Sequence, residues 1–172
     1  PGHHYEAGKC APPRVNQVPD PIEQRAEILL PAERPIVLYD GVCNLCNGVV
    51  QFALPRDSAR RYRFAPLQSA PGQALLEHFG METDDHSTFV LVEGRDAYVR
   101  STAALRLARG LDLPWSAFGA LLAVPRPLRD AVYDLVARHR YRVFGRKDRC
   151  RRPPSDRGDV FLDGADAIPG EP

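Results

Sequence analysis

The stretch VLYDGVCNLCNGVVQF, residues 37–52, constrains the fold of this chain more than any other. The short apolar run Ile36 to Tyr39 has the length and branched composition of a buried strand. Asp40-Gly41 is a turn signal. From Cys43 onward the pattern changes. Cys46, Val49, Val50 and Ala53 recur at three- and four-residue steps, which marks a helical face. The Cys-x-x-Cys pair therefore falls between a strand and a helix, at the helix N-terminus. A thiol there meets unpaired backbone N–H groups and the positive end of the helix dipole, and both favour thiolate. A free cysteine titrates near ~8.5, and such settings lower that to roughly 3.5–7.5. Cys43 is the expected attacking sulfur. Cys46, one turn further in, is placed to resolve a mixed disulfide formed on Cys43.

Further along, RYRFAPL (61–67) alternates like a second strand, and SAPGQALLEHFG (69–80) reads as a helix with Gly80 as its C-terminal cap. STFVLVE (87–93) and AYVRS (97–101) read as two strands joined by a hairpin turn at Gly94-Arg95-Asp96. Residues 101–111 read as a helix with Ser101 or Thr102 as its N-cap. A short helix is expected over Pro114 to Val124. A longer amphipathic one is expected over residues 126–145, with Leu128, Val132, Leu135 and Val136 on one face. The order is β-α-β-α-β-β-α with additional C-terminal helices. This predicts an α/β fold of thioredoxin-like type. The chain divides into a Pro-rich arm (1–34), an ordered domain (35–152) and an acidic tail (153–172).

Other readings of the thiol pair have to be weighed. Two neighbouring cysteines can simply be small buried residues. A structural zinc site needs four ligands, so Cys43 and Cys46 would need two more from Cys10, Cys150, His78 and His86. None of these comes as a second Cys-x-x-Cys or a spaced His pair. The redox reading needs strand, turn, thiol pair and helix in that order, and all four are present. Asp40 has two readings: a carboxylate that assists proton transfer from Cys46 or orders the loop, or a plain turn residue. LYDGV resembles part of a phosphatase Asp-x-Asp-Gly-Val loop, but Leu38 stands where the nucleophilic Asp would be, which excludes that chemistry. Cys150 lies among Lys147, Arg149, Arg151 and Arg152, cations that stabilise a thiolate, and is a candidate accessory thiol.

Charge is uneven although the net is only +1. RHRYRVFGRKDRCRR, residues 138–152, holds seven Arg and one Lys against one Asp. Interleaved Tyr141 and Phe144 make a phosphate-contacting binding module the alternative to an enzyme. Cations at a helix C-terminus are also ordinary for dipole reasons, and no nucleic-acid partner is expected. The longest apolar run, around Leu113 to Val124, is broken by Pro114, closed by Pro125 and shorter than the ~20 residues of a membrane span. Four cysteines are too few for a secreted disulfide scaffold. The start shows no signal-peptide pattern, so a cytoplasmic protein is expected.

YDGVCNLCNGVVQF contains Asp-x-x-Cys-x-x-Cys. With RFAPLQS (63–69), VLVEGRDAYVRSTAALRLARGL (90–111) and VPRPLRDAVYDLVARHRYRVFGRKDRC (124–150), it resembles the DCC family of thiol-disulfide oxidoreductases over roughly residues 35–152. The resemblance implies a thioredoxin-like domain with signature residues Asp40, Cys43 and Cys46, and a cysteine at the position of Cys150. It implies a dithiol/disulfide cycle that needs no metal or organic cofactor, a disulfide substrate and a thiol reductant. Two positions depart from the pattern. His139 stands where Asn is expected. No Pro precedes the third strand, where thioredoxins use a cis-proline to hold the substrate backbone. Thr88 or Ser87 stands there instead.

Overall fold

The structure is a computed structural model that describes residues 32–81, 88–145 and 160–162. Strand β1 (Ala32–Tyr39) leads through the Asp40–Cys43 loop into helix α1 (Asn44–Ala53), which a 3₁₀ turn (Leu54–Arg56) extends. Strand β2 (Arg63–Pro66) and helix α2 (Ala70–His78) follow. The hairpin of β3 (Val90–Gly94) and β4 (Asp96–Val99) runs directly into α3 (Arg100–Gly110). A 3₁₀ segment (Trp115–Ala123) and the long α4 (Arg126–Phe144) complete the order. The sheet order is β2-β1-β3-β4, with β1 and β2 parallel and the other pairs antiparallel. This is a mixed α/β fold of thioredoxin-like type, as the element order predicts.

Alternation along β1 builds a core on each face of the sheet. Val37 and Tyr39 join Cys43, Cys46 and Val50 of the α1 region, together with Ala103 and Leu107 of α3. Ile36 and Leu38 join Leu75 and Leu76 of α2 on the other face. Burying a Leu or Val side chain stabilises the fold by about 1.5–3 kcal/mol. β1 is therefore held from both sides, and the loop leaving it starts from a fixed point. Of the 153–172 segment, Val160, Phe161 and Leu162 are described, and all three are buried. Phe161 bridges Phe64 in parallel, and Leu162 N–H donates to the Phe64 carbonyl at 2.8 Å. This part of the acidic segment is core.

Three expectations need correction. Neither Ser101 nor Thr102 caps α3. The helix leaves β4 with Val99 at the cap and no side-chain bond there. Ser101 donates to Asp130 instead, and Thr102 accepts from Arg129 at 2.9 Å, so both hydroxyls dock α4. The short helix after Pro114 is 3₁₀ in form. The third concerns α4, whose apolar stripe faces outward. Leu128 is 63% and Val132 64% exposed, and Leu135 and Val136 are exposed too. The side that packs carries Arg129, Tyr133, Ala137 and Arg140, at helical spacing of its own. Among the described residues no helix is long and apolar enough to cross a membrane.

Candidate functional site

The loop after β1 is pinned by side chains from three elements. Asp40 is 2% exposed and fully engaged. Its Oδ1 accepts from Val42 N–H at 3.1 Å and from Gln68 Nε2 at 2.8 Å. Its Oδ2 accepts from the Tyr141 hydroxyl and pairs with Arg140 Nη2 at 3.5 Å. Gln68 uses its other end to accept from Gly41 N–H at 3.0 Å. Asn47 Nδ2 donates to the Gly41 and Cys43 carbonyls, both at 2.8 Å. Cys43 N–H donates to the Asp40 carbonyl at 3.2 Å, which closes the turn. A buried carboxylate needs such partners, because an unpaired one costs several kcal/mol (roughly).

This turn delivers Cys43 to the N-cap of α1, with extended backbone at φ −78° and ψ 122°. Its Sγ accepts from the Cys46 backbone N–H at 3.4 Å, the contact an N-cap side chain makes with an otherwise unpaired donor. Both cysteines are free thiols. Hydrogen bonding from the Cys46 side chain is the main reason the Cys43 thiol is lowered from 9.0 to about 6. Burial opposes that shift, while the Cys46 backbone N–H and the Arg140 charge assist it. Cys46 moves the other way, first because it donates to Cys43, then because it is buried and lies next to the Cys43 charge. The two sulfurs are thus chemically unequal, with Cys43 the ready thiolate. Their exposure runs opposite: Cys43 is fully covered and Cys46 is 9% exposed.

The cover over the loop comes from the end of α4. Asn44 Nδ2 donates to the Phe144 carbonyl at 2.9 Å, and Asn44 N–H reaches the Gly145 carbonyl at 3.5 Å. Donors at the start of α1 thereby meet acceptors at the end of α4, so unpaired groups at both termini are satisfied. Gly145 has φ +77°, and a Cβ there would lie 3.2 Å from Asn44 Nδ2. Beside Cys46 a cleft of about 90 Å³ opens, lined mainly by apolar side chains of α1, Phe89, α3 and α4.

The structure brings Asp40, Cys43 and Cys46 into one loop and helix start. Thr88 is half-buried two residues before β3, next to Phe89 of the cleft. Cys10, His86, Ser87 and Cys150 lie outside the described residues. His78 is exposed at the end of α2, edge-on to Phe79. His139 is exposed, its ring 2.8 Å from the Leu135 carbonyl. Among the described residues no group of three or more His, Cys, Asp and Glu gathers. Of the basic run 138–152 the described part ends at Gly145, and within it Arg140 is buried against Asp40.

Sequence reasoning missed Arg140, Tyr141 and Gln68 as parts of this site. In the sequence Arg140 reads as one of the cations of the basic run 138–152, a phosphate contact or a partner of the helix dipole. The available signal was its position, opposite the Leu128–Val132–Leu135 stripe and in step with Tyr133 and Ala137.

A family model described as DCC1-like thiol-disulfide oxidoreductase matches residues 37–146. The uncharacterized protein YuxK of Bacillus subtilis (strain 168) is 47% identical over 127 residues, covering 74% of this chain and 93% of that protein. The DCC family protein At1g52590, chloroplastic, of Arabidopsis thaliana is 45% identical over 119 residues, 69% of each chain. No solved structure matches the chain. The family match spans the loop, both thiols and the α4 residues that close over them, and the chain belongs to the DCC1-like thiol-disulfide oxidoreductase family.

Proposed function

We propose that the protein is a dithiol/disulfide oxidoreductase in which Cys43 is the nucleophile, Cys46 the resolving thiol and Asp40 the organiser of their loop. The observation that carries this reading is the Cys43 sulfur at the α1 N-cap, accepting from Cys46 N–H and lowered to about 6. Near neutral pH a thiolate of that acidity is largely formed and still nucleophilic. The Cys43 thiolate attacks a substrate disulfide. One Cys43–substrate S–S bond forms, the substrate S–S bond breaks, and the departing sulfur takes up a proton. Cys46 then loses its proton and attacks the Cys43 sulfur, forming the Cys43–Cys46 disulfide and releasing the second substrate thiol. The substrate gains two electrons and the protein loses two. A thiol reductant returns the protein to the dithiol by the reverse exchange.

The coupling between the sulfurs times these steps. Cys46 is held protonated chiefly by its bond to Cys43 and in part by the Cys43 charge. Both influences vanish when Cys43 enters the mixed disulfide, so Cys46 becomes more acidic at the step that needs its thiolate. Asp40 has its acceptor positions occupied by Val42, Gln68, Tyr141 and Arg140, which supports an organising role over proton transfer. The cycle draws on no metal or organic cofactor. A cytoplasmic, thiol-rich setting suits it and fits the sparse cysteines.

The test is a redox titration of purified protein across dithiothreitol and glutathione buffers, with thiols trapped by alkylation and mapped by mass. Cys43 and Cys46 are expected to convert together as one reversible two-electron couple. Two thiols that stay reduced and unreactive across the whole range would overturn the reading.

A further inference from the structure

The cleft beside the thiol pair separates two properties that a redox site usually combines. Cys43 carries the acidic thiol but has no exposed surface. Cys46 has the exposed surface, and it faces the cleft. The walls are mainly apolar, with Leu45 and Val49 of α1, Phe89 before β3, Ala104 of α3 and Val136 of α4, and Arg140 of α4 is the one charged side chain among them, paired with Asp40. Val49 and Val136 are exposed, so the apolar lining continues to the surface at the mouth. A group brought up to the exposed side of the pair, at Cys46, lies against the walls of that cleft.

The main chain at the cleft is already committed. Phe89 N–H donates to the Tyr133 hydroxyl at 3.0 Å, and its carbonyl accepts from Arg100 N–H at 3.1 Å. With Phe89 N–H occupied, recognition at this position falls to side-chain burial. A volume of about 90 Å³ admits one branched aliphatic side chain.

From this geometry we infer that the cleft is the specificity pocket of the thiol pair, and that it selects disulfides whose cysteine has a branched aliphatic neighbour of Val or Leu size. The inference rests on the oxidoreductase reading and adds the substrate class. Burial of such a side chain shifts the equilibrium or barrier about 10- to 100-fold against a glycine neighbour.

The experiment uses glutathione mixed disulfides of short blocked peptides, with Gly, Val, Leu or Glu on either side of the cysteine. Reduction by the full chain is followed as kcat/KM, with oxidised lipoic acid as a small-disulfide control. The Leu or Val peptide is expected to exceed the Gly peptide by about 10-fold or more. In Ala104→Leu, which fills the cleft, and in Val49→Ser, which makes its rim polar, the Leu/Gly ratio is expected to fall toward about 1. Val49 is exposed, so its variant keeps the test available if Ala104→Leu does not fold. Equal kcat/KM across the peptides, or a preference that survives these changes, overturns the pocket while leaving the oxidoreductase intact. No reduction of any peptide or of lipoic acid overturns both.

Discussion

At the scale of single residues, the site is a small number of groups whose charges set one another. The Cys43 thiol sits at about 6 because Cys46 donates to it, and Arg140 adds its charge from the other side. Its alkylation rate is expected to be flat above about pH 6 and to fall about tenfold per pH unit below it. A free cysteine would keep rising toward ~8.5. Cys46→Ala removes the main donor, and the midpoint measured with iodoacetamide is expected to move up. A lowered folded value also means that the reduced form gains stability as pH rises from about 6 toward the unfolded value near ~8.5, and loses it as pH falls through about 6. The oxidised form has no thiolate and lacks this slope, so urea unfolding of the two forms across that window checks the sign. Arg140 and Asp40 test a different aspect. Arg140 is 3% exposed, and Arg140→Met leaves a buried carboxylate without its cation. The expected loss is about 3–5 kcal/mol in urea unfolding, with the Cys43 midpoint raised. Adding Asp40→Asn is expected to recover part of that loss, a coupling that a double-mutant cycle measures. Additive losses would show that the two side chains act separately.

At the scale of elements, the strands and helices were legible because each has a clear period and clear boundaries. β1 is a short continuous apolar run, RYRFAPL alternates, and the Cys-x-x-Cys helix keeps its apolar step. The orientation of α4 was not legible. Periodicity reports that a helix has an apolar stripe, and the usual inference is that the stripe is buried. Here α4 docks by polar pairs: Ser101 with Asp130, Thr102 with Arg129, Phe89 N–H with the Tyr133 hydroxyl, and Asp40 with Arg140 and Tyr141. Every one of these joins α4 to a residue far away in the chain. No local pattern encodes the match, so the arginine and tyrosines of the site looked like surface residues. The orientation makes a direct prediction. Leu128→Ser and Val132→Ser are expected to change stability by no more than about 0.5 kcal/mol, because both side chains are exposed. Tyr133→Phe leaves Phe89 N–H without its acceptor and is expected to cost about 1–3 kcal/mol. Urea midpoints that rank the other way would mean that the apolar stripe is the buried one.

At the scale of the whole molecule, the folded unit extends past the part that the family match covers. That match ends at residue 146, and sequence composition marks everything after 152 as an acidic tail. Val160, Phe161 and Leu162 nonetheless sit in the core, 5%, 2% and 0% exposed. Three apolar residues among acids and glycines are too short a run to read as an element; their partner, Phe64, is almost a hundred residues earlier. The physical gain is twofold. Phe161 packs on Phe64 at 5.8 Å between ring centroids, within the same cluster that holds Cys43 and Cys46. The Leu162 N–H bond to Phe64 also covers the free edge of β2, which would otherwise be open to pairing with another chain. Phe161→Ala is therefore expected to cost about 3–5 kcal/mol, the range for a large aromatic removed from a core. A chain ended after Arg152 is expected to lose more and to associate through the bared β2 edge, visible as a lower urea midpoint together with concentration-dependent light scattering. If the shortened chain unfolds at the same midpoint and stays monodisperse, the last strand-like contact is dispensable. The folded unit would then end with α4, and the cluster around Cys43 and Cys46 would owe its packing to residues 32–145 alone.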